Sequence, residues 1–436
     1  MPESGPPVII VGAGLAGLTC ARELHRAGVP VRVIEVEDTV GGRVRSWRDE
    51  SGFIIDRGFQ IMLSAYPAVA RQVDLDRLGS AAFDAGAVIW TGSRRIPLAD
   101  PLRHPASLIR DLTAPVFGMA DKLRLARWAL ETSRADWDSS ADAANEQGID
   151  RSGMAMLRDR GFSTGFIRRF AQPFWGGILL DRSLSASAGV LEFTLQMFLR
   201  GSAVLPEGGV GAVPAAIAAD LPRDAFRLNA CVTELIHEGG RVTGVRLANG
   251  ETMDGSAVVV AADPPTAHQL TGIGAIPTAP VGCVTVYLRG GTDPGIGKKL
   301  MLDGTGRSAV NHIAPLSSVQ PSYAPAGRHL IAAVMLEEAE LEAPDTTIAE
   351  RARADTERML GQLGAWNVHR IVRVPFSLYH QEPGLHRRLP DATTGVPGLF
   401  LASDATSDAS SNGAVLSGET AARAVRSAMP LFRIRS

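Results

Sequence analysis

The clearest chemistry in this chain belongs to Glu35 and the glycines that precede it. Glu35 closes the apolar run Val31-Arg32-Val33-Ile34 and stands 18 positions beyond Gly17. Gly17 ends the segment Gly12-Ala13-Gly14-Leu15-Ala16-Gly17, which follows a strand-type run, Val8-Ile9-Ile10-Val11. A carboxylate at that distance can accept hydrogen bonds from the hydroxyls of an adenosine ribose. Gly12 turns the chain sharply off the strand, Gly14 admits a pyrophosphate to bare backbone, and Gly17 lets the following helix close on the strand. The diphosphate would then sit at a helix N-terminus, where unpaired N–H groups point at it. Downstream, Gly41-Gly42-Arg43 adds more bare backbone and a guanidinium able to give charge-assisted hydrogen bonds to a diphosphate oxygen. Near the other end, Gly398-Leu399-Phe400-Leu401-Ala402-Ser403-Asp404 repeats the strand-then-acid arrangement, followed by a Ser/Asn/Gly segment and an Ala-rich helix. The first element predicts a dinucleotide; the two together predict FAD.

Catalytic side chains are harder to find. His312, Tyr379 and His380 fall in one stretch and are the candidates for contact with a reacting molecule, each against the plainer reading of a hydrogen-bonded structural residue. Bulky apolar residues gather at Phe162, Phe166, Phe170, Phe174, Trp175, Phe193 and Phe198. Most of these read as core. Phe174, Trp175 and Tyr379 are the candidates for a substrate cavity, since such cavities are themselves largely apolar.

The elements that must position these residues alternate at the start, giving a β-α-β unit over Val8 to Ile34 with its helix from Leu18 to Ala27. Asp56-Arg57-Gly58-Phe59-Gln60 reads as a turn closing a short strand pair. The middle, from about Tyr66 to Ser202, is helical by periodicity, notably over Ala120 to Ser133 and Ser185 to Leu199. Pro206-Glu207-Gly208-Gly209 enters a helix at Ala212, and short strands return from Val232 to Val260 as a meander. The fold class is mixed α/β: a Rossmann-like FAD-binding domain with an interleaved substrate domain. The first combines 1–66, 203–270 and 390–436; the second combines 67–202 and 271–389.

With 436 residues, the chain is long enough for two to three domains. A net charge of −2 gives no basic field that would attract nucleic acid. Cys20, Cys231 and Cys283 are far apart, which excludes a disulfide framework, argues against a metal site and fits a reducing cytoplasm. No run approaches the roughly 20 apolar residues of a membrane span. Contact with a membrane surface stays open, as does the oligomeric state.

The motifs occur in a familiar order. Gly12–Gly17, Glu35, Gly41-Gly42-Arg43, Asp56–Gln60, Pro206–Gly209 and the Asp404…Asn412-Gly413-Ala414 segment together resemble the flavin-containing amine oxidase superfamily, which includes phytoene desaturases and protoporphyrinogen oxidases. The resemblance implies a domain of glutathione-reductase type and non-covalent FAD. It places Glu35, with Val36 beside it, at the adenosine ribose, and Gly12, Ala13, Gly14, Leu15, Ala16, Gly17, Gly41, Gly42 and Arg43 at the diphosphate. Gly58, Phe59 and Gln60 should pass the flavin ring, and the Val232 backbone should face adenine. Asp404 should lie near the ribityl and diphosphate oxygens, and Asn412, Gly413 and Ala414 at a helix start facing the ring.

The departures bear on substrate. The strand Val281–Leu288 lacks the lysine that many amine oxidases of this superfamily carry there. No pair of aromatics marks an amine cage around Tyr379, and Ala402 and Ser403 stand where some relatives have a flavin-linking cysteine. The expected function is therefore an FAD-dependent oxidase or desaturase removing a hydride from a largely apolar small molecule. An amine oxidase acting on a primary or secondary amine is the alternative, and non-redox use of FAD a third.

Overall fold

The structure, a computed structural model, describes residues 5–99, 116–146 and 148–433. Its base is a five-stranded parallel sheet in the order Phe226–Arg227, Val31–Ile34, Val8–Val11, Ala257–Val260 and Leu399–Leu401. Val8–Val11 and Ala257–Val260 are buried along their whole length, as expected of β-branched strands covered on both faces. The meander of Val232–Glu238, Arg241–Leu247 and Thr252–Asp254 lies alongside.

The first helix runs Leu15–Arg26, starting three residues before the sequence expectation because Gly14 is already its N-cap. His25 and Arg26 occupy the last turn, where positive charge opposes the helix dipole. The C-terminal helix Ser411–Arg433 packs against it closely enough that a Cβ on Gly418 would stand 2.4 Å from the Ala16 carbonyl oxygen.

The second large sheet has seven strands: Asn367–Tyr379, Pro280–Gly290, His329–Met335, Val310–Ala314, Leu300–Asp303, Gly86–Trp90 and Arg95–Ala99. Only the pairing of Leu300–Asp303 with Gly86–Trp90 is parallel. Helices Met119–Ser133, Ser140–Glu146, Gly153–Asp159, Gln172–Leu179 and Ala188–Arg200 form a layer beside it, so the helical reading of the middle holds from Met119 onward, whereas Ala81–Ala82, Gly86–Trp90 and Arg95–Ala99 correct it by forming strands. Residues 100–115 of that stretch lie outside the described residues.

One local expectation is corrected. Asp56–Gln60 does not close the strand pair Ser46–Arg48 and Ile54–Asp56; residues 49–53 do, with Asp49 accepting from the Gly52 and Ser51 N–H groups. Asp56–Gln60 instead leaves that pair and crosses to the seven-stranded sheet. There the Thr285 hydroxyl accepts from Phe59 N–H at 3.0 Å, and the Tyr287 hydroxyl donates to Asp56 O at 2.9 Å.

Candidate active site

Two cavities share a wall where the sheets meet. The outer one, about 580 Å³, is lined by Gly12, Gly14, Leu15, Ala16, Glu35, Val36, Gly41, Gly42, Arg43, Val232, Asp404 and Ala414 among others. The inner one, about 220 Å³, begins at Arg43, Arg57, Gln60, Ser377 and Ser410, which line both. The two cavities adjoin along these residues.

The outer cavity fits a dinucleotide on its own geometry. Gly14 has ordinary extended dihedrals, and a Cβ there would meet nothing within 4 Å; the space it would enter is the cavity. The helix behind it starts with no side-chain cap and no acidic residue in its first turn, which leaves its N-terminal dipole to an anion. Glu35 is buried, accepting from Ala13 N–H at 2.6 Å and Glu37 N–H at 2.9 Å, so its carboxylate is fixed before any ribose arrives. Arg43 meets Asp404 at 2.8 Å and donates to Ser377 O at 2.9 Å.

Three residues of the sequence set turn out to be braces for the cleft. Gly17 is tight against Gly12, where a Cβ would lie 2.1 Å from the carbonyl oxygen. Ala13 contributes its N–H to Glu35. Tyr379 is buried with its hydroxyl donating to Asp404 O at 2.9 Å, so it holds an outer-cavity residue and does not line the inner cavity.

Asn412 and Gly413 also stand off the cavity wall. Asn412 is fully buried: its Oδ1 accepts from Ala68 N–H at 2.9 Å and its Nδ2 donates to Asp138 O at 2.8 Å. Gly413 is required by close approach, because a Cβ would sit 2.2 Å from Asp408 O. The face of the helix start toward the cleft is Ser410, Ser411 and Ala414. Ser410 accepts from Gly413 N–H at 2.9 Å and so caps the helix.

The inner cavity is mostly apolar. Phe59, Phe174, Phe193, Phe198, Leu300 and Leu302 contribute walls. Trp175, Phe162, Phe166 and Met197 do not; they are core, with Trp175 edge-on to Phe174. Leu180, also on the wall, ends the helix Gln172–Leu179 in the left-handed region at φ 56°, a strained conformation for a leucine of the kind that gathers at functional sites. Of the catalytic candidates, His312 lies on the inner cavity. His380 does not; it bonds the Ser185 hydroxyl at 2.7 Å beside Asp181.

Two wall residues escaped the sequence reading. Asp408 is a buried carboxylate on the inner cavity, bonded by Ser410 Oγ and by Ser140 N–H at 3.2 Å. Burial pushes its pKa up, against the pull of those bonds. Cys283, on the strand Pro280–Gly290, also lines the inner cavity. Burial raises its pKa, so the thiol is a poor nucleophile. Acid precipitation should therefore leave all flavin in the supernatant; flavin in the protein pellet would contradict this.

The loop that joins the cavities hangs on Asp56. This carboxyl is fully buried, bonded by Ser46 Oγ at 2.5 Å, Tyr323 OH at 2.8 Å and Val210 N–H at 3.2 Å. With no cation among those partners, burial raises its pKa from 3.8 to about 6. A carboxyl raised on folding adds stability that is full below the unfolded value and is lost as pH climbs through the folded one. Urea unfolding should thus show wild type losing up to about 3 kcal/mol relative to Asp56→Asn between pH 4 and pH 7. A pH-independent difference would contradict the assignment.

The site's company among known proteins agrees with its shape. The model of a family described as flavin containing amine oxidoreductase matches residues 15–426. The 15-cis-phytoene desaturase of Narcissus pseudonarcissus is 43% identical over 68 residues, 16% of this chain and 12% of that protein. The hydroxyneurosporene desaturase of Cereibacter sphaeroides is 27% identical over 294 residues, 59% of this chain and 56% of its own length. The chain thus aligns with well under two thirds of either desaturase. Among solved structures, an oxidoreductase from Methanosarcina mazei superposes with a TM-score of 0.73 at 17% identity, covering 97% of this chain and 100% of that one. A putrescine oxidase gives 0.70 at 18%, covering 97% and 99%.

Proposed function

The chain belongs to the flavin-containing amine oxidoreductase family, and from that premise we propose that it removes a hydride from a largely apolar small molecule, as an oxidase or desaturase. Membership makes it an FAD-dependent oxidoreductase. Bound FAD supplies a two-electron acceptor. The protein's part is to hold and orient both reactants and to keep the reacting end dry.

The observation that carries the substrate reading is the lining of the inner cavity. Gly58, Phe59 and Gln60 border it on one side, and phenylalanines and leucines from the helical layer and the seven-stranded sheet on the others. Glu35, the Gly14 backbone and Arg43 would hold the ribose and diphosphate in the outer cavity, leaving the inner one for the ring's reactive edge and the substrate. Tyr379 and Ser377 would keep Asp404 and Arg43 in place. A bound ammonium would need a partner to offset desolvation of several kcal/mol.

Asp408 is the observation favouring an amine. It lies on the same cavity, but its oxygens are already engaged and burial favours its neutral form. The apolar reading is therefore preferred. The test is aerobic incubation of FAD-loaded protein with a panel of primary and secondary amines. No release of peroxide with ammonia or a smaller amine is expected; steady, saturable release would replace this reading with an amine oxidase.

Two interleaved domains are part of the proposal, with 1–66, 203–270 and 390–436 on the FAD side. The parallel sheet's strands, all drawn from those segments, support it. The helix Pro67–Gln72 and the strand Ala81–Ala82 pack with the FAD side, which argues for moving the first boundary past residue 82.

A further inference from the structure

We propose that His312 presents a fixed hydrogen-bond donor to the inner cavity, and that the substrate is an apolar molecule bearing one hydrogen-bond-accepting oxygen there. The proposal rests on the apolar-substrate reading and narrows it.

His312 lies on the strand Val310–Ala314, is 3% exposed and lines the cavity. Its Nδ1 is 2.9 Å from Asn311 Nδ2, which also donates to Pro173 O at 2.9 Å. The amide cannot be turned round, because its oxygen would then face the Pro173 carbonyl. Both amide hydrogens are therefore spent as donors, one of them on Nδ1. Nδ1 must accept, so the ring proton is on Nε2. Among the described residues no hydrogen bond reaches Nε2, and it is not one of the fully buried unpartnered polar atoms, in keeping with a nitrogen open to the cavity. Burial and the Arg182 charge lower the His312 pKa to about 4, so the ring stays neutral and keeps this tautomer at physiological pH.

The pair is built in. A Cβ on Gly177 would come 2.9 Å from His312 Nδ1 and 3.1 Å from Asn311 Nδ2, so the helix Gln172–Leu179 needs glycine where it passes them. Phe59, from the loop joining the cavities, packs against the imidazole with ring centroids 5.4 Å apart. A lone N–H in an apolar cavity rewards an acceptor and gives nothing to a hydrocarbon. It repels an ammonium, which has only donors to offer. His312 is thus a specificity residue and not a general base, since its Nε2 already carries the proton.

The test uses FAD-loaded protein and three probes built on one naphthalene frame: naphthalene, 2-acetylnaphthalene and 2-naphthylmethylamine, with affinities from equilibrium dialysis. Wild type should bind the ketone about tenfold more tightly than naphthalene, a factor matching one neutral hydrogen bond, and the amine least. H312M should abolish the ketone preference, and H312Q, whose amide nitrogen reaches the same place, should restore most of it. Should H312M fail to fold, H312F carries the same expectation. Equal binding of ketone and naphthalene by wild type, a preference that survives H312M, or tightest binding of the amine would each overturn the proposal. So would a shifted flavin band in ligand-free H312M with the probe preference unchanged, which would give the donor to the cofactor. Failure of every apolar candidate to reduce the flavin would sink the hydride-removal reading and leave this binding contrast standing.

Discussion

Gly14→Val should fold normally and emerge from purification without flavin, whereas Gly17→Ala should not fold. The two glycines are three residues apart in one motif, yet they face different things. Gly14 has φ −76° and ψ 179°, dihedrals open to any residue, and its missing side chain would project into open space. Valine there strains nothing. It does occupy the place where a diphosphate must approach the helix N-terminus, and each charge-assisted hydrogen bond lost costs about 1.5–3 kcal/mol. FAD affinity should fall at least 100-fold, with a melting temperature matching FAD-stripped wild type. Gly17 has no such freedom: a Cβ would overlap Gly12 O at 2.1 Å and press on Ala261 Cβ at 3.1 Å. Gly12 is fixed in the tight turn off the first strand and Ala261 lies in the core, so the helix would have to leave the sheet. A yellow Gly14→Val protein, or a stable Gly17→Ala one, would contradict the division of labour.

Glu35→Ala should weaken FAD binding by roughly 100- to 1,000-fold and also destabilise the flavin-free protein. The second effect follows from what Glu35 already holds. Removing its carboxylate leaves the Ala13 N–H without its 2.6 Å acceptor inside the core, a penalty of about 1–3 kcal/mol. The first effect adds the lost ribose hydroxyl bonds. Glu35→Gln should fall between, because one oxygen remains while the new amide group confronts one of the two backbone donors. Fluorescence titration of stripped protein with FAD measures the first effect and urea unfolding without FAD the second. Wild-type affinity in Glu35→Ala would remove the ribose assignment; unchanged stability would remove the structural one.

How much was legible in the sequence depended on how local the cause was. The strand, glycine turn, helix and Glu35 were readable because neighbours in the chain fix their geometry. Asn412 and Gly413 were not, because which way they face is decided by Ala68, Asp138 and Asp408, all distant from the helix start or turned away from it. Phe174 and Trp175 adjoin on one helix, so they face different directions; only tertiary packing sends the first to the cavity and the second to the core. The strand Phe226–Arg227, two residues long, has no periodicity to read. Asp408 and His312 reach one cavity from segments nearly a hundred residues apart, and nothing in either segment announces the other.

The most direct test of the account is anaerobic mixing of FAD-loaded protein with isoprenoid alkenes, porphyrinogens and simple amines while the flavin absorption band is followed. The cleft predicts rapid, saturable bleaching by an apolar candidate and none by a primary or secondary amine. Bleaching by such an amine with none by any apolar candidate would contradict it.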